Sequence, residues 1–172
     1  MRVFEESLAA SHAASDLPIW EQIYRQAFPA FCAMVDHRDD GEHQRAGIDR
    51  SVILANSKQL LIDEKVRHKD YGDILLEYLS NDRTGAPGWV CKPLRADYIA
   101  YAVVPAGRCY MLPVIQLQIA WAKYGAMWKQ QFANVPAPNR GYTTHSVAVP
   151  PHTLFPAIGG ALRVAFNPAG AA

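Results

Sequence analysis

The feature that most constrains this chain is a pair of aliphatic runs around one short polar break. Gly47 to Leu54 and Gln59 to Arg67 are dominated by Val, Ile and Leu, and Ala55-Asn56-Ser57-Lys58 lies between them. Runs of this kind suit strands, and Asn-Ser supplies turn chemistry, so the segment is predicted to form a β-hairpin. Its register stays open. A two-residue turn at Asn56-Ser57 pairs position 49 with 64. A bulge, or a three- or five-residue loop, moves the pairing by one and exchanges the faces.

Other elements are placed around this hairpin. Asp16-Leu17-Pro18 marks a helix start, with a capping carboxylate and an early proline. Ile19, Trp20, Ile23, Tyr24, Ala27 and Phe28 then recur at helical spacing, and Pro29 ends the run. Ala30 to Val35 is apolar, with no state assigned, and Asp36 to Arg45 has the makeup of an exposed loop. Ile74 to Leu79 is expected as a third strand, and Asn81 to Gly88 as a loop. Ala96 to Val104 with Cys109 to Leu112 reads as another hairpin. Pro113 to Phe132 reads as a long helix, with Ile115, Ile119, Trp121 and Trp128 toward its apolar side. Asn134 to Gly141 is a proline-broken linker, Tyr142 to Val149 a last strand, and Leu154 to Ile158 a short segment after it.

A length of 172 residues suggests one domain, 1–172, with 1–15 and 159–172 as loose arms. The fold class expected is mixed α/β. Half of the residues are hydrophobic and 19% are charged, which excludes a disordered chain. A formal net charge of +1 argues against a strongly basic nucleic-acid coat but leaves room for a local basic patch. No apolar run approaches the roughly 20 residues that cross a bilayer, so no membrane role is expected. Three widely spaced cysteines fit neither a disulfide framework nor a CxxC site, and a reducing cytoplasm is the expected location.

The chemistry is concentrated in Gln44-Arg45-Ala46-Gly47-Ile48-Asp49-Arg50 and Leu61-Ile62-Asp63-Glu64-Lys65-Val66-Arg67. Alternate side chains of a strand share a face, so Asp63 and Lys65 point the same way, roughly 7 Å apart along the backbone. The hairpin brings Asp49 beside them. Two carboxylates suit Mg²⁺ or Mn²⁺, which keeps positions open for water and a phosphate, and a lysine nearby stabilises charge on a phosphoryl centre. A charged strand end is also how sheets discourage edge pairing. Asp49 across the hairpin, with apolar neighbours around both points, favours the site.

An acidic residue on one strand and Asp/Glu-x-Lys on the next, after a helix bearing a glutamate, resembles the PD-(D/E)XK nuclease superfamily, in particular its small phage and bacterial members. The resemblance covers roughly residues 17 to 132, and its specific part lies within 44 to 80. It implies a restriction-endonuclease-like core, a central mixed β-sheet flanked by helices, and hydrolysis of DNA phosphodiester bonds with Mg²⁺ or Mn²⁺. On the family's pattern Asp49 is the first aspartate, Asp63 the second acidic position and Lys65 the lysine. Glu64 lends its backbone carbonyl to the metal, Glu21 is the helical glutamate, and Glu77 falls near the site. Ile48 stands where the motif's name has proline. Gln44, Arg50 and Arg67 are candidate contacts to DNA, with Arg45, His68 and Lys69 as further basic groups. A homodimer is expected by analogy with enzymes of this fold. The alternative is a nuclease-fold binding or assembly protein without turnover.

His37 and His43, with Asp36, Asp39, Asp40 and Glu42, resemble a metal cluster in composition, but their spacing matches no established zinc pattern and a solvated loop is the preferred reading. His145 reads as structural or exposed. Trp89, Tyr98, Tyr101 and Tyr110 read as core or half-buried sheet residues.

Overall fold

The hairpin closes through a three-residue loop. In the computed structural model, which describes residues 18–37 and 39–168, β2 (Arg50–Leu54) and β3 (Gln59–Arg67) pair antiparallel. Arg50 lies opposite Ile62 and Val52 opposite Leu60. Ser57 N–H donates to the Leu54 carbonyl, and Leu54 N–H to the Lys58 carbonyl, both at 2.9 Å. Ser57 closes the loop in the left-handed region at φ 62°. Of the registers the sequence allows, this one places position 49 opposite 63.

Around this hairpin a six-stranded mixed sheet forms in the order β1-β2-β3-β6-β7-β10, with β1 at Phe31–Asp36, β6 at Tyr98–Val103, β7 at Arg108–Pro113 and β10 at Leu162–Ala165. All neighbours are antiparallel except β3 and β6, which run parallel with Asp63 beside Ile99 and Lys65 beside Tyr101. Helix α1 (Ile19–Ala27) buries Ile19, Trp20, Ile23, Tyr24 and Ala27, the stripe its spacing predicted. They pack with Val52, Ile62, Ala100, Ala102, Cys109 and Met111, so α1 covers the face from which Ile62 points. Each large apolar side chain buried there contributes about 1.5–3 kcal/mol. Asp63 and Lys65, alternating with Ile62, project from the other face.

This unit comprises residues 18–70, 94–114 and 161–168; a second compact unit comprises 71–93 and 115–160. In the second, β4 (Ile74–Asn81), β5 (Ala86–Pro87), β8 (Asn134–Asn139) and β9 (Tyr142–Val149) form a sheet in the order β5-β4-β9-β8. Helix α3 occupies Val114–Gln131 and α4 Pro151–Ala157.

Several expectations are corrected. The unassigned run Ala30 to Val35 supplies β1, paired with β2. The polar stretch contains a short helix, α2 (Gly41–Arg45), because Asp40 caps it, accepting the N–H groups of Glu42 at 2.9 Å and His43 at 3.3 Å. Ile74 to Leu79 is a strand as expected, and it pairs with β9 in the second sheet. Asn134 to Gly141 is largely an edge strand, where Pro136 and Pro138 forfeit no ladder bond on the open side. On α3, Ile115 and Ile119 are 70% and 63% exposed, while Leu117, Ala120 and Trp128 are buried. That helix carries two apolar stripes, and the covered one holds the large rings, Trp121 and Trp128 being 6.3 Å apart. Within the tail, β10 pairs with β7 and buries Val164. The arm 1–15 and the capping Asp16 lie outside the described residues.

Among the described residues no helix is long and apolar enough to cross a membrane. The cysteines Cys32, Cys91 and Cys109 are all free.

Since a side chain in the left-handed region costs about 1 kcal/mol, Ser57→Gly is expected to stabilise the protein by about 0.5–1 kcal/mol without altering the register. Urea unfolding measures the gain, and a loss of stability contradicts it.

Candidate functional site

Asp49 precedes β2 by one residue, and its N–H donates to the Ile62 carbonyl at 2.9 Å, which holds it against β3. Its carboxylate is fixed at both oxygens: Gln44 Nε2 donates to Oδ1 at 3.0 Å, and Glu64 N–H donates to Oδ2 at 2.8 Å. Gln44 also reaches the Ile48 carbonyl, at 3.3 Å. The short helix α2 thus serves to aim Gln44 at Asp49.

Asp63 is buried, and Lys65, on the same face, donates from Nζ to its Oδ1. Burial pushes the Asp63 carboxyl up to about 6; Lys65 pulls it down, whereas the charge of Asp49 and a hydrogen bond between the two carboxyl groups push it up. Asp49, Asp63 and Lys65 are therefore brought together. Farther along the same face, Arg67 donates from Nη1 to the Tyr101 hydroxyl at 3.0 Å and is half-buried.

The opposite face of β3 carries a second, wholly buried system. Arg50 grips the Glu64 carboxylate through Nε to Oε1 at 2.6 Å and Nη2 to Oε2 at 3.2 Å, while the Tyr24 hydroxyl donates to Oε1 at 2.6 Å. Asp36 approaches Arg50 at 3.5 Å. Burial drives Glu64 up to about 7 although Arg50 and Tyr24 pull it down. Burial disfavours the Arg50 charge, but the contact with Glu64 outweighs it and raises the guanidinium. Burial first, then Glu64, lifts the Tyr24 phenol well above its usual range. Removing one partner from such a pair costs about 3–5 kcal/mol, because the other is left charged in the interior.

The expected placements of Arg50 and Glu21 change as a result. Arg50, proposed as a phosphate contact, is only 5% exposed and is committed to Glu64. The Glu64 side chain points away from Asp63, so what it offers Asp49 is backbone: its N–H faces Asp49, and the carbonyl of the same strand residue projects to the same side. Glu21 sits on α1, over the Glu64 face, with an exposed carboxylate paired to Arg25 at 2.7 Å, and the sheet lies between it and Asp63. Gln44 is exposed and beside Asp49; Arg45, His68 and Lys69 are exposed. Glu77 lies on β4, in the other unit.

The Tyr24–Glu64–Arg50 system was missed from sequence because Tyr24 reads as one more apolar position of a helix. His37, Asp40 and His43, expected as part of a solvated loop, form a further group. Asp40 Oδ2 meets His43 Nδ1 at 2.7 Å, and the two imidazoles stack at 3.9 Å. Burial, then His43 beside it, holds the His37 ring below the usual histidine range, and the bond to His43 lowers Asp40. The equal spacing His37-x-x-Asp40-x-x-His43 was the available signal.

The Asp49–Asp63 pair suits a hard divalent cation. Its side-chain donors are all oxygens, and Asp63 is a buried carboxyl carrying charge that its surroundings disfavour. The chain matches no protein-family model, no curated protein and no solved structure.

The raised Asp63 value means that the folded state holds this proton more tightly than the unfolded chain, whose value is near 3.8. The charged carboxylate therefore costs stability above about pH 6, and the cost fades as the pH falls toward 3.8. In metal-free protein Asp63→Asn is expected to raise stability at pH 8 by on the order of 1–3 kcal/mol, and by less at pH 5. Denaturant unfolding at the two pH values checks this, and destabilisation at pH 8 contradicts it.

Proposed function

We propose that the chain is a metal-dependent deoxyribonuclease of the PD-(D/E)XK kind, with Asp49 and Asp63 as metal ligands and Lys65 beside them. The observation that carries this reading is the side-by-side placement of the two aspartates, with the Lys65 ammonium on Asp63. A restriction-endonuclease-like core accords with the mixed sheet, in which the strand bearing Asp63 and Lys65 is central, antiparallel to β2 and parallel to β6.

Bound Mg²⁺ or Mn²⁺ would supply Lewis acidity toward a phosphodiester and a more acidic water. The chain's own groups have separate tasks. Gln44 and the Glu64 N–H fix both oxygens of Asp49, so that this carboxylate does not reorganise when charge develops nearby. Lys65 presents a cation to the attacking oxygen and to the charge that grows on the phosphoryl group. The Glu64 carbonyl, directed toward Asp49, is a further oxygen donor. Arg67, with the exposed Arg45, His68 and Lys69, provides phosphate contacts, and Arg50 is released from that role because Glu64 holds it. Near-neutral overall charge goes with a small DNA footprint or with a second subunit completing it.

Nicking of plasmid DNA with Mn²⁺ tests the reading. Wild-type protein is expected to cleave only when metal is added. Asp49→Asn and Asp63→Asn should each lower the rate by at least about 10²-fold, and Lys65→Met should do the same while leaving Mn²⁺ binding nearly intact. Mn²⁺ binding without any cleavage would overturn catalysis and favour the non-catalytic assembly protein. Cleavage that survives Asp63→Asn would remove the proposed site.

A further inference from the structure

We propose that His37, Asp40 and His43 form a second cation site, one that takes a borderline transition-metal ion of the zinc type and is independent of Asp49 and Asp63. One donor atom from each of the three side chains lies within 4.8 Å of the other two, a grouping that occurs once for three such residues among the described residues. Two ligands at about 2.0–2.1 Å on a tetrahedral ion are about 3.3 Å apart, so the donors need to close by about 1.5 Å at most. One pair is already closer than that. Asp40 Oδ2 and His43 Nδ1 share a proton at 2.7 Å, and an ion in place of that proton spreads them by about 0.6 Å.

The surroundings hold two of the three groups in position. Asp40 is the cap of α2, where its Oδ1 accepts the Glu42 and His43 N–H groups, so the carboxylate is oriented and its second oxygen is directed at His43. His37 is tethered through Nε2 to Ser51 Oγ at 2.7 Å, and Ser51 Oγ in turn takes Gln59 Nε2 at 2.6 Å. Such an outer partner sets the ring and leaves Nδ1 for a metal. The third group adjusts. The two rings are parallel to within 3°, and parallel rings do not aim two in-plane lone pairs at one point, so binding turns the His43 ring out of the stack. That side chain is about one third exposed (34%) and has room to turn.

Donor type decides the ion. Two imidazoles and a carboxylate prefer Zn²⁺, or Co²⁺ and Ni²⁺, over Mg²⁺, with a coordination position left for water. Asp49 and Asp63 offer oxygen alone and prefer the harder ions. An ion on His37, Asp40 and His43 would tie the end of β1 to the start of α2, the helix that carries Gln44.

Titration of tag-free protein with Zn²⁺, and with Co²⁺ followed by its visible spectrum, tests this. Wild type is expected to bind one equivalent tightly, and the Asp49→Asn/Asp63→Asn double variant to bind it equally well. His43→Ala should weaken Zn²⁺ at least about 100-fold and abolish the Co²⁺ bands, Ser51→Ala should weaken it by about 10-fold, and His152→Ala should change nothing. Circular dichroism verifies that each variant is folded, and His43→Gln serves in place of any unfolded His43→Ala. Equal affinity in wild type and the His43 variants, no binding by wild type, or loss in the double Asn variant with retention in His43→Ala would each overturn the proposal.

Discussion

The register of one hairpin sets everything the candidate site contains. Ala55, Asn56 and Ser57 close it, with Ser57 in the left-handed region, and this three-residue loop places Arg50 opposite Ile62. Strand side chains alternate strictly, so a slip of one residue would put Glu64 where Asp63 stands and send Lys65 into the core beneath α1. The apolar content of the two strands enforces the observed register, because Val52 and Ile62 must both reach the α1 face.

Adjacent residues of β3 consequently belong to two ionic systems back to back. On the face away from α1, Asp63 is buried against Asp49 and Lys65, and its charge is only partly compensated. On the α1 face, Glu64 is compensated by a bidentate guanidinium and a phenol. The second system looks the more polar in sequence but is structural: it anchors β2, β3 and α1 to one another in the interior. The first carries a surplus negative charge, with Asp49 and Lys65 only half-buried beside the buried Asp63. Glu21 fails to join it for a simple reason, since a helix on one face of a sheet does not present a side chain to the other.

Much of the fold was legible because it rests on local periodicity. The α1 stripe, both hairpins, the long helix and the strand Tyr142–Val149 follow from apolar spacing and turn chemistry. The errors fall where a local rule had two outcomes. Prolines at 136 and 138 break a central strand but not an edge strand, and α3 offered two apolar stripes, of which Ile115 and Ile119 mark the uncovered one. Ile74 to Leu79 was a sound strand, but membership of a sheet is a long-range property that its residues do not encode.

The sequence by itself determined which residue types stand two apart on one strand and fourteen apart across a turn: Asp49, Asp63 and Lys65 could be singled out because strand period and hairpin connectivity are local physics. Only the tertiary structure decided which charges remain for chemistry. Whether Arg50 meets a phosphate or Glu64, and whether His37 meets solvent or His43, depends on which surfaces the packed sheet, α1 and α2 bring together. Burial with a bidentate guanidinium makes Glu64 an anchor, whereas burial beside a second carboxylate leaves the charge of Asp63 only partly compensated.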